Sequence, residues 1–422
     1  MDPIKLVKGF KDLLPEESAK WWFVELRARK FFKNFGFSEI RPPIMERTEL
    51  FQRGIGEGTD VVEKEMYTFT DRSGENLTLR PEATAGVIRA YIENGLFTRE
   101  AVSKLYTIGP MFRRERPQKG RFRQFHQINA EVFGVAAPII DAEIIIMVNE
   151  FLRDVGLESL SLEINSLGCS ECRPSFKQEL IAFLEAKKET LCPDCQRRIG
   201  INPLRVLDCK VRTCQEATVQ APLVTSFLCT GCHAHFDELQ KYINRFGITY
   251  SINPKMVRGL DYYTKTAFEI TTTHLGAQNA VCGGGRYDEL VKQLGGPDVP
   301  GIGFAIGFER LVSLLPMSNL YDNSPTLFVA PLGATAHEKT FALLNSLRLS
   351  GLSCVSEYNA NVSLKTMLKR ADRSGARLVI IVGEDELLKE EITIKDMQTG
   401  KQKSFLLSDW GKIIATAKQG EL

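Results

Sequence analysis

Apolar residues at the start of the chain recur at helical spacing. Trp22, Leu26, Ala28, Phe32 and Phe35 predict a helix over residues 16–35, with Pro15 at its first turn and Gly36 as a stop. A short strand over 37–41 then runs into the break Pro42-Pro43. From 77 to 134, strand-like segments surround one helical stretch at 84–94. Charged helical stretches such as 175–189 follow, and strand character returns at 268–272 and 301–306. Residues 318–325, rich in Asn, Ser and Pro, have the composition of a linker. Beyond them the pattern is βαβαβ: strand 326–332, helix 336–351, strand 352–358, helix 363–374, strand 376–383. That order predicts a small α/β domain.

Length and charge narrow the picture. The 422 residues suggest two or three domains, and 43% hydrophobic with 25% charged residues fits a folded protein. A net charge of +2 places any nucleic-acid contact on local patches. The N-terminal residues lack the apolar core of a signal peptide, and no apolar run approaches the about 18 residues of a membrane span. The expectation is a cytosolic protein whose 10 cysteines are thiols, metal ligands or buried hydrophobes.

The segment 111–134 carries the first candidate chemistry. Strand side chains alternate faces, so Arg113 and Glu115 share one face of the first strand. Arg123, Phe125, Gln127, Asn129 and Glu131 share one face of the second; His126 takes the other and is read as structural. Such a polar face is either a solvated edge or the floor of a polar pocket. The basic loop between the strands, with Arg116, Lys119 and Arg121, suits polyphosphate, which Arg forks bind in bidentate fashion. Three further segments stand out. Residues 79–85, LRPEATA, place Glu82 near the positive end of a Pro-initiated helix. Residues 256–263, MVRGLDYY, set Arg258 beside Tyr262 and Tyr263. Residues 301–311, GIGFAIGFERL, put the cation Arg310 in a first helical turn, a placement that makes sense beside an anion.

Taken together and in order, these segments resemble the histidyl-tRNA synthetase family of class II aminoacyl-tRNA synthetases. FRRE, the loop and RQFHQINAEVFG resemble motif 2; GIGFAIGFERL resembles motif 3; the first helix and EIRPPIMERTELF, with Pro43, resemble motif 1. MVRGLDYY is similar to the family's own signature, and GGGRYDEL at 283–290 falls where the family has a glycine run. Many relatives have Gly in place of Ala83. The resemblance implies an α+β catalytic domain with an antiparallel sheet over 1–324, interrupted by a cysteine-rich insertion at 168–250. It also implies a C-terminal α/β anticodon-binding domain at 325–422.

By the same resemblance Arg113 meets the α-phosphate of ATP, Glu115 the adenine amino group, Phe125 the adenine face and Arg121 the outer phosphates. Arg310 would clamp the γ-phosphate, and Arg258 would add charge at the α-phosphate. Glu82 and Tyr263 would match the two ring nitrogens of histidine, Tyr262 would line the same site, and Thr84, Gln127 and Glu131 would hold the amino group. The implied reaction activates L-histidine with Mg²⁺-ATP and transfers it to tRNA(His), on a homodimer without membrane attachment.

Eight cysteines lie between 169 and 232, as Cys169-x2-Cys172, Cys192-x2-Cys195, Cys209-x4-Cys214 and Cys229-x2-Cys232. Their spacing allows a structural Zn²⁺, with His233 and His235 as substitute ligands, although the family's chemistry needs no zinc. Cys282 and Cys354 are read as buried hydrophobes, and no catalytic metal ligand is assigned. Two competing readings are a histidine-binding regulatory paralogue that charges no tRNA, and a zinc-ribbon RNA-binding protein. The first would be expected to lose Arg113, Arg258 and Arg310, and the second accounts for none of them.

Overall fold

The computed structural model describes residues 3–56, 58–115, 120–257, 260–275, 279–316 and 321–419. It divides into two compact units, Met1–Ser318 and Asn319–Leu422, the division falling inside the stretch read as a linker.

The described residues of the first unit form eleven strands: β1 (Ser38–Glu39), β2 (Met45–Arg47), β3 (Tyr67–Thr70), β4 (Asn76–Leu79), β5 (Ser103–Phe112), β6 (Gln124–Phe133), β7 (Leu160–Ser166), β8 (Tyr250–Ile252), β9 (Thr264–Thr272), β10 (Ala280–Arg286) and β11 (Gly301–Gly307). Eight form one sheet in the order β1-β5-β6-β11-β10-β9-β7-β8, and β2, β4 and β3 form a small second sheet. Pairing in the large sheet is antiparallel from β5 through β7, and parallel only where β1 joins β5 and β8 joins β7.

The helices Pro15–Asn34 and Pro138–Asp154 seal one face of this sheet. Phe32 packs edge-on against Tyr106 of β5, Phe151 and Phe304 of β11, with centroids 5.3, 5.3 and 6.1 Å away. The buried stripe of the first helix is Trp21, Val24, Ala28 and Phe32: Ala28 and Phe32 are buried as expected, whereas Trp22 and Leu26 face outward, 63% and 45% exposed. The interleaved large residues allow two apolar stripes, and packing on the sheet selects one. Gly36 ends the helix in the left-handed region at φ +79°, where the Phe37 N–H turns back to the Phe32 carbonyl.

Between β7 and β8 the chain is helical, with Arg173–Glu185, Pro193–Ile201, Arg212–Ala217 and Thr230–Phe246, and it buries its own apolar group around Phe176, Leu180, Leu184, Ile199 and Val206. Its last helix is tied to the sheet through a buried network. His235 Nε2 lies 2.8 Å from Asp141 Oδ2, and Arg286, fully buried in β10, pairs with the same carboxylate.

The second unit has a five-stranded sheet: β12 (Leu327–Pro331), β13 (Cys354–Ser356), β14 (Leu378–Val382), β15 (Glu391–Asp396) and β16 (Gln402–Leu406), in the order β13-β12-β14-β15-β16. The expected βαβαβ pattern supplies the three parallel strands, with helices Ala334–Leu349 and Leu364–Arg373 between them. Alternate residues of β12 serve the two faces: Leu327 and Val329 pack with Leu343 and Leu347, while Phe328 and Ala330 pack with Met367 and Ala371. The antiparallel hairpin β15-β16 was not anticipated.

Candidate functional site

The free face of the large sheet carries a cavity of about 440 Å³. Phe125, Gln127, Asn129 and Glu131 of β6 line it, as period-two alternation requires. Opposite them in β11 stand Gly307, Ala305 and Gly303, then Gly283 of β10 opposite Ala305, and Glu269 of β9 opposite Gly283. The row through the middle of the sheet is therefore almost side-chain-free, and that leaves the volume. Gly303 is obligatory for a second reason. A Cβ there would collide with Glu131 Oε2 and with the Ala130 carbonyl.

One part of the cavity gathers buried polar groups of opposite character. Thr84 Oγ1 donates to Glu131 Oε1 at 2.7 Å, and the Tyr287 hydroxyl donates a short bond to Oε2. Burial pushes the Glu131 carboxyl up to about 8, against the pull of those two donors, and the nearby Glu82 adds to the rise. Glu82 is also buried, which raises its carboxyl above the ordinary value. Its oxygens accept from the backbone N–H groups of Thr84 at 2.9 Å and Ala85 at 2.8 Å, at the start of the helix Thr84–Glu93. Capping the helix and facing the cavity thus coexist in one residue, because each carboxylate oxygen has a further lone pair. Tyr262 and Tyr263 close this part, their rings 4.7 Å apart, and Tyr262 stands edge-on to Tyr287.

The rest is cationic. Arg113 is half-buried, its Nε donating to the Pro81 carbonyl at 2.9 Å and its guanidinium lying 5.3 Å over the Phe125 ring. Arg121 and Arg310 line the same cavity. Burial lowers the pKa of all three, and repulsion adds to it: Arg310 and Arg113 disfavour the charge on Arg121, and Arg113 that on Arg310. Converging guanidinium groups, each partly desolvated, give this part of the cavity a positive character that suits an anion. Arg310 enters near the start of the helix Phe308–Leu314, where Nη1 donates to the Ala280 carbonyl at 2.7 Å. Glu115 is ion-paired with Arg121.

All described residues assigned to the site from sequence therefore meet in this cavity: Glu82, Thr84, Arg113, Glu115, Arg121, Phe125, Gln127, Glu131, Tyr262, Tyr263 and Arg310. Arg258, Arg116 and Lys119 lie outside the described residues. Arg123 departs from the expected face. It sits just before β6, its side chain turned to the Glu115 and Lys8 carbonyls, since alternation has no hold before the ladder begins. His126 faces away, 4.8 Å edge-on to Trp21, with its ring nitrogen on Glu309.

Sequence reading gave no role to several lining residues. Tyr287 was quoted only within a glycine run, and Gly303 only within an apolar strand. Asn129 was placed on the right face but given no task; its buried Oδ1 has no partner among the described residues. Arg205 and Asp208 reach the cavity from the helical insertion, which no local pattern announces. His235 is no substitute for a cysteine ligand, being held by Asp141, and His233 pairs with Asp237 on the surface. Cys282 is buried and also lines the cavity.

Comparison with known proteins agrees with this geometry. The family model described as histidyl-tRNA synthetase matches residues 9–311, and that of an anticodon binding domain matches residues 326–416. The chain is 53% identical over 408 residues to a histidine–tRNA ligase of Desulfosudis oleivorans, covering 96% of both chains. It is 51% identical over 401 residues to one of Syntrophotalea carbinolica, covering 95% of this chain and 96% of the other. Among solved structures, apo histidyl-tRNA synthetase of Staphylococcus aureus superposes with a TM-score of 0.81 at 34% identity, over 99% of this chain and 100% of that one.

Proposed function

The chain belongs to the histidyl-tRNA synthetase family, and from that premise we propose that it joins L-histidine to tRNA(His) through a histidyl adenylate formed from ATP. The single observation that carries the reading is the convergence of Arg113, Arg121 and Arg310 with the buried Glu82–Thr84–Glu131–Tyr287 group in one cavity. A guanidinium cluster suits a polyphosphate; a buried carboxylate held by two hydroxyls suits an ammonium.

In this reading the histidine carboxylate attacks the α-phosphorus in line, the bond to the β,γ-phosphates breaks, and pyrophosphate leaves. Arg113 stabilises the charge that develops at the α-phosphate. Its side chain is held in advance by the Pro81 carbonyl, so the stabilisation needs little reorganisation. Arg258 is assigned the same charge from the family pattern. Phe125 supports the adenine, Glu115 meets its amino group, and Arg121 and Arg310 take the outer phosphates. Glu131, Thr84 and Gln127 hold the amino group of histidine. Glu82 and Tyr263 match its ring nitrogens through hydrogen bonds that an amino acid without an imidazole does not form, at a cost of roughly 10⁴-fold or more in discrimination. Transfer follows by attack of a hydroxyl of the terminal adenosine, with AMP as leaving group.

Mg²⁺ enters with ATP. Carboxylate oxygens are its usual protein donors beside phosphate. Glu269, which lines the cavity and whose charge partly offsets the lowering of the Arg310 pKa by burial, would hold the ion, whose chemistry when bound is to draw charge from the transferred phosphates. A homodimer is part of the proposal. Trp22, Leu26, Ile44 and Met45 of the motif 1 segment are exposed apolar side chains that a partner would cover. No helix among the described residues is long and apolar enough to cross a membrane, and the proposed place of work is the cytoplasm, where charged tRNA is consumed.

ATP–pyrophosphate exchange measured with each amino acid in turn tests the reading. Exchange with histidine alone is expected. Histidine binding without exchange would instead mark a regulatory relative, which the retention of all three cavity arginines argues against.

A further inference from the structure

The eight cysteines between β7 and β8 are free and fall into two groups of four. The outer group joins Cys169 and Cys172, just after β7, to Cys229 and Cys232 at the start of the helix Thr230–Phe246. The inner group joins Cys192 and Cys195 to Cys209 and Cys214. We propose that each group binds one Zn²⁺, giving two structural zinc ions per chain.

The geometry points to a single ion in each group. Sulfurs at about 2.3 Å from a tetrahedral zinc stand about 3.8 Å apart along each edge. Here Cys169 Sγ is 3.6 Å from that of Cys172 and 3.8 Å from that of Cys229, Cys192 Sγ is 4.0 Å from that of Cys209, and within each group all sulfurs lie within 4.8 Å of one another. A disulfide needs about 2.05 Å and joins sulfurs in pairs, not fours. Ligands spread over the separate irons of a cluster stand farther apart than ligands sharing one ion. Four thiolates gathered within reach of one ion suit zinc, which holds such ligands without redox chemistry. Four thiolates on Zn²⁺ also leave net negative charge, and backbone donors are aimed at it. The Cys192 N–H reaches Cys214 Sγ at 3.1 Å, and the Cys229 N–H reaches Cys172 Sγ at 3.0 Å. Each of these bonds crosses from one cysteine pair to the other, as a shared ion would require.

The fold gives the ions a task. The insertion has no strand among its described residues between β7 and β8, and its buried core is small. The outer group fastens the root of the insertion, closing a loop between Cys169 and Cys229, 60 positions apart. The inner group closes the stretch from Cys195 to Cys209, and that stretch serves the catalytic cavity. Arg198 pairs with Asp60 at 2.6 Å, Arg197 with Glu63 at 3.3 Å, and Arg205 and Asp208 line the cavity itself. The inner ion thereby becomes a positioning element for one wall of the cavity, at a distance from the reacting atoms.

Elemental analysis of full-length protein, made in zinc-supplemented medium and purified without chelator, is expected to give about two zinc ions per chain. X-ray absorption should show four sulfurs at about 2.3 Å. The double substitution Cys209→Ser, Cys214→Ser should retain one ion, held by the outer group. Should that variant not fold, titration of the unaltered protein with a thiol-blocking mercurial reads the same quantity, two zinc ions released as eight thiols are consumed. Less than half an ion per chain, iron in place of zinc, or oxygen and nitrogen in the metal's coordination would overturn the proposal.

Discussion

Thr84 Oγ1 and Glu131 Oε1 lie 2.7 Å apart, joining two residues 47 positions distant in sequence. One stands in the first turn of the helix Thr84–Glu93, the other near the end of β6. The bond aligns a carboxylate that would otherwise rotate. With the Tyr287 hydroxyl on the other oxygen, it leaves Glu131 fixed and buried, ready for a cation.

Removing either hydroxyl should loosen that carboxylate without unfolding the protein. A hydrogen bond to a charged group is worth about 1.5–3 kcal/mol, so Thr84→Val or Tyr287→Phe should raise KM for histidine roughly 10- to 100-fold. KM for ATP should stay within about twofold. Steady-state exchange kinetics with each substrate varied in turn will show whether the effect is confined to histidine.

Gly303→Ala asks a steric question of the same carboxylate. The added methyl occupies the position of Glu131 Oε2 and presses on the Ala130 carbonyl. Histidine-dependent exchange should fall at least about 100-fold, the scale expected when a binding group is displaced by an ångström. Circular dichroism and thermal melting should still report a folded chain; full activity in that variant would contradict the placement of Glu131.

The raised pKa of Glu131 has a definite sign. In the empty cavity the carboxyl keeps its proton up to about pH 8, whereas an unfolded glutamate loses it near 4.5. The folded form then binds more protons between these values, so this contribution to stability declines as pH rises through the window. The proposed contact with the histidine ammonium demands the carboxylate, so histidine affinity should rise with pH, by up to about tenfold per unit, and level off above about 8. Calorimetric titrations in buffers of different ionisation enthalpy should detect a proton released on binding at pH 7. Because Thr84 and Tyr287 hold the pKa down, their loss should move the plateau to higher pH.

Phe125→Ala should separate the two substrates the other way. The ring lies beneath Arg113 and is assigned to the adenine, and stacking of a base on an aromatic ring is worth about 1–3 kcal/mol. KM for ATP should rise roughly 5- to 100-fold with little change for histidine. An equal rise for both substrates would argue against the adenine assignment.

The buried pair Asp141–Arg286 should govern stability and not chemistry. Asp141 accepts from Arg286, Thr266 and, through its ring nitrogen, His235, which ties the insertion's long helix to the sheet. Asp141→Asn removes the more deeply buried of the two carboxylates paired with the Arg286 guanidinium, leaving only Asp288, at a cost of up to about 3–5 kcal/mol. Denaturant unfolding should show that loss, and residual native protein should keep its KM values.

Much of this site was legible in the sequence because it obeys local periodicity. Alternation alone put Phe125, Gln127, Asn129 and Glu131 on one strand face, and a first-turn cation marked Arg310. Local patterns failed where a neighbour decides. Trp21 and Trp22 are equally apolar, and only the sheet beneath the helix buries the first and exposes the second. Arg123 belongs to the right alternation but precedes the ladder, so a pair of carbonyls captures it.

What the sequence determined by itself is the set of parts: most element types, the polar-faced hairpin, the family and the cysteine pairs, all of which depend on near neighbours in the chain. The tertiary structure decided the partners. It made Gly303 and Gly283 a floor, brought Tyr287 to Glu131, sorted eight cysteines into two nested fours, and carried Arg205 from the insertion to the cavity. Those outcomes depend on strand register and on packing between segments far apart in the chain, and no pattern confined to a short window encodes them.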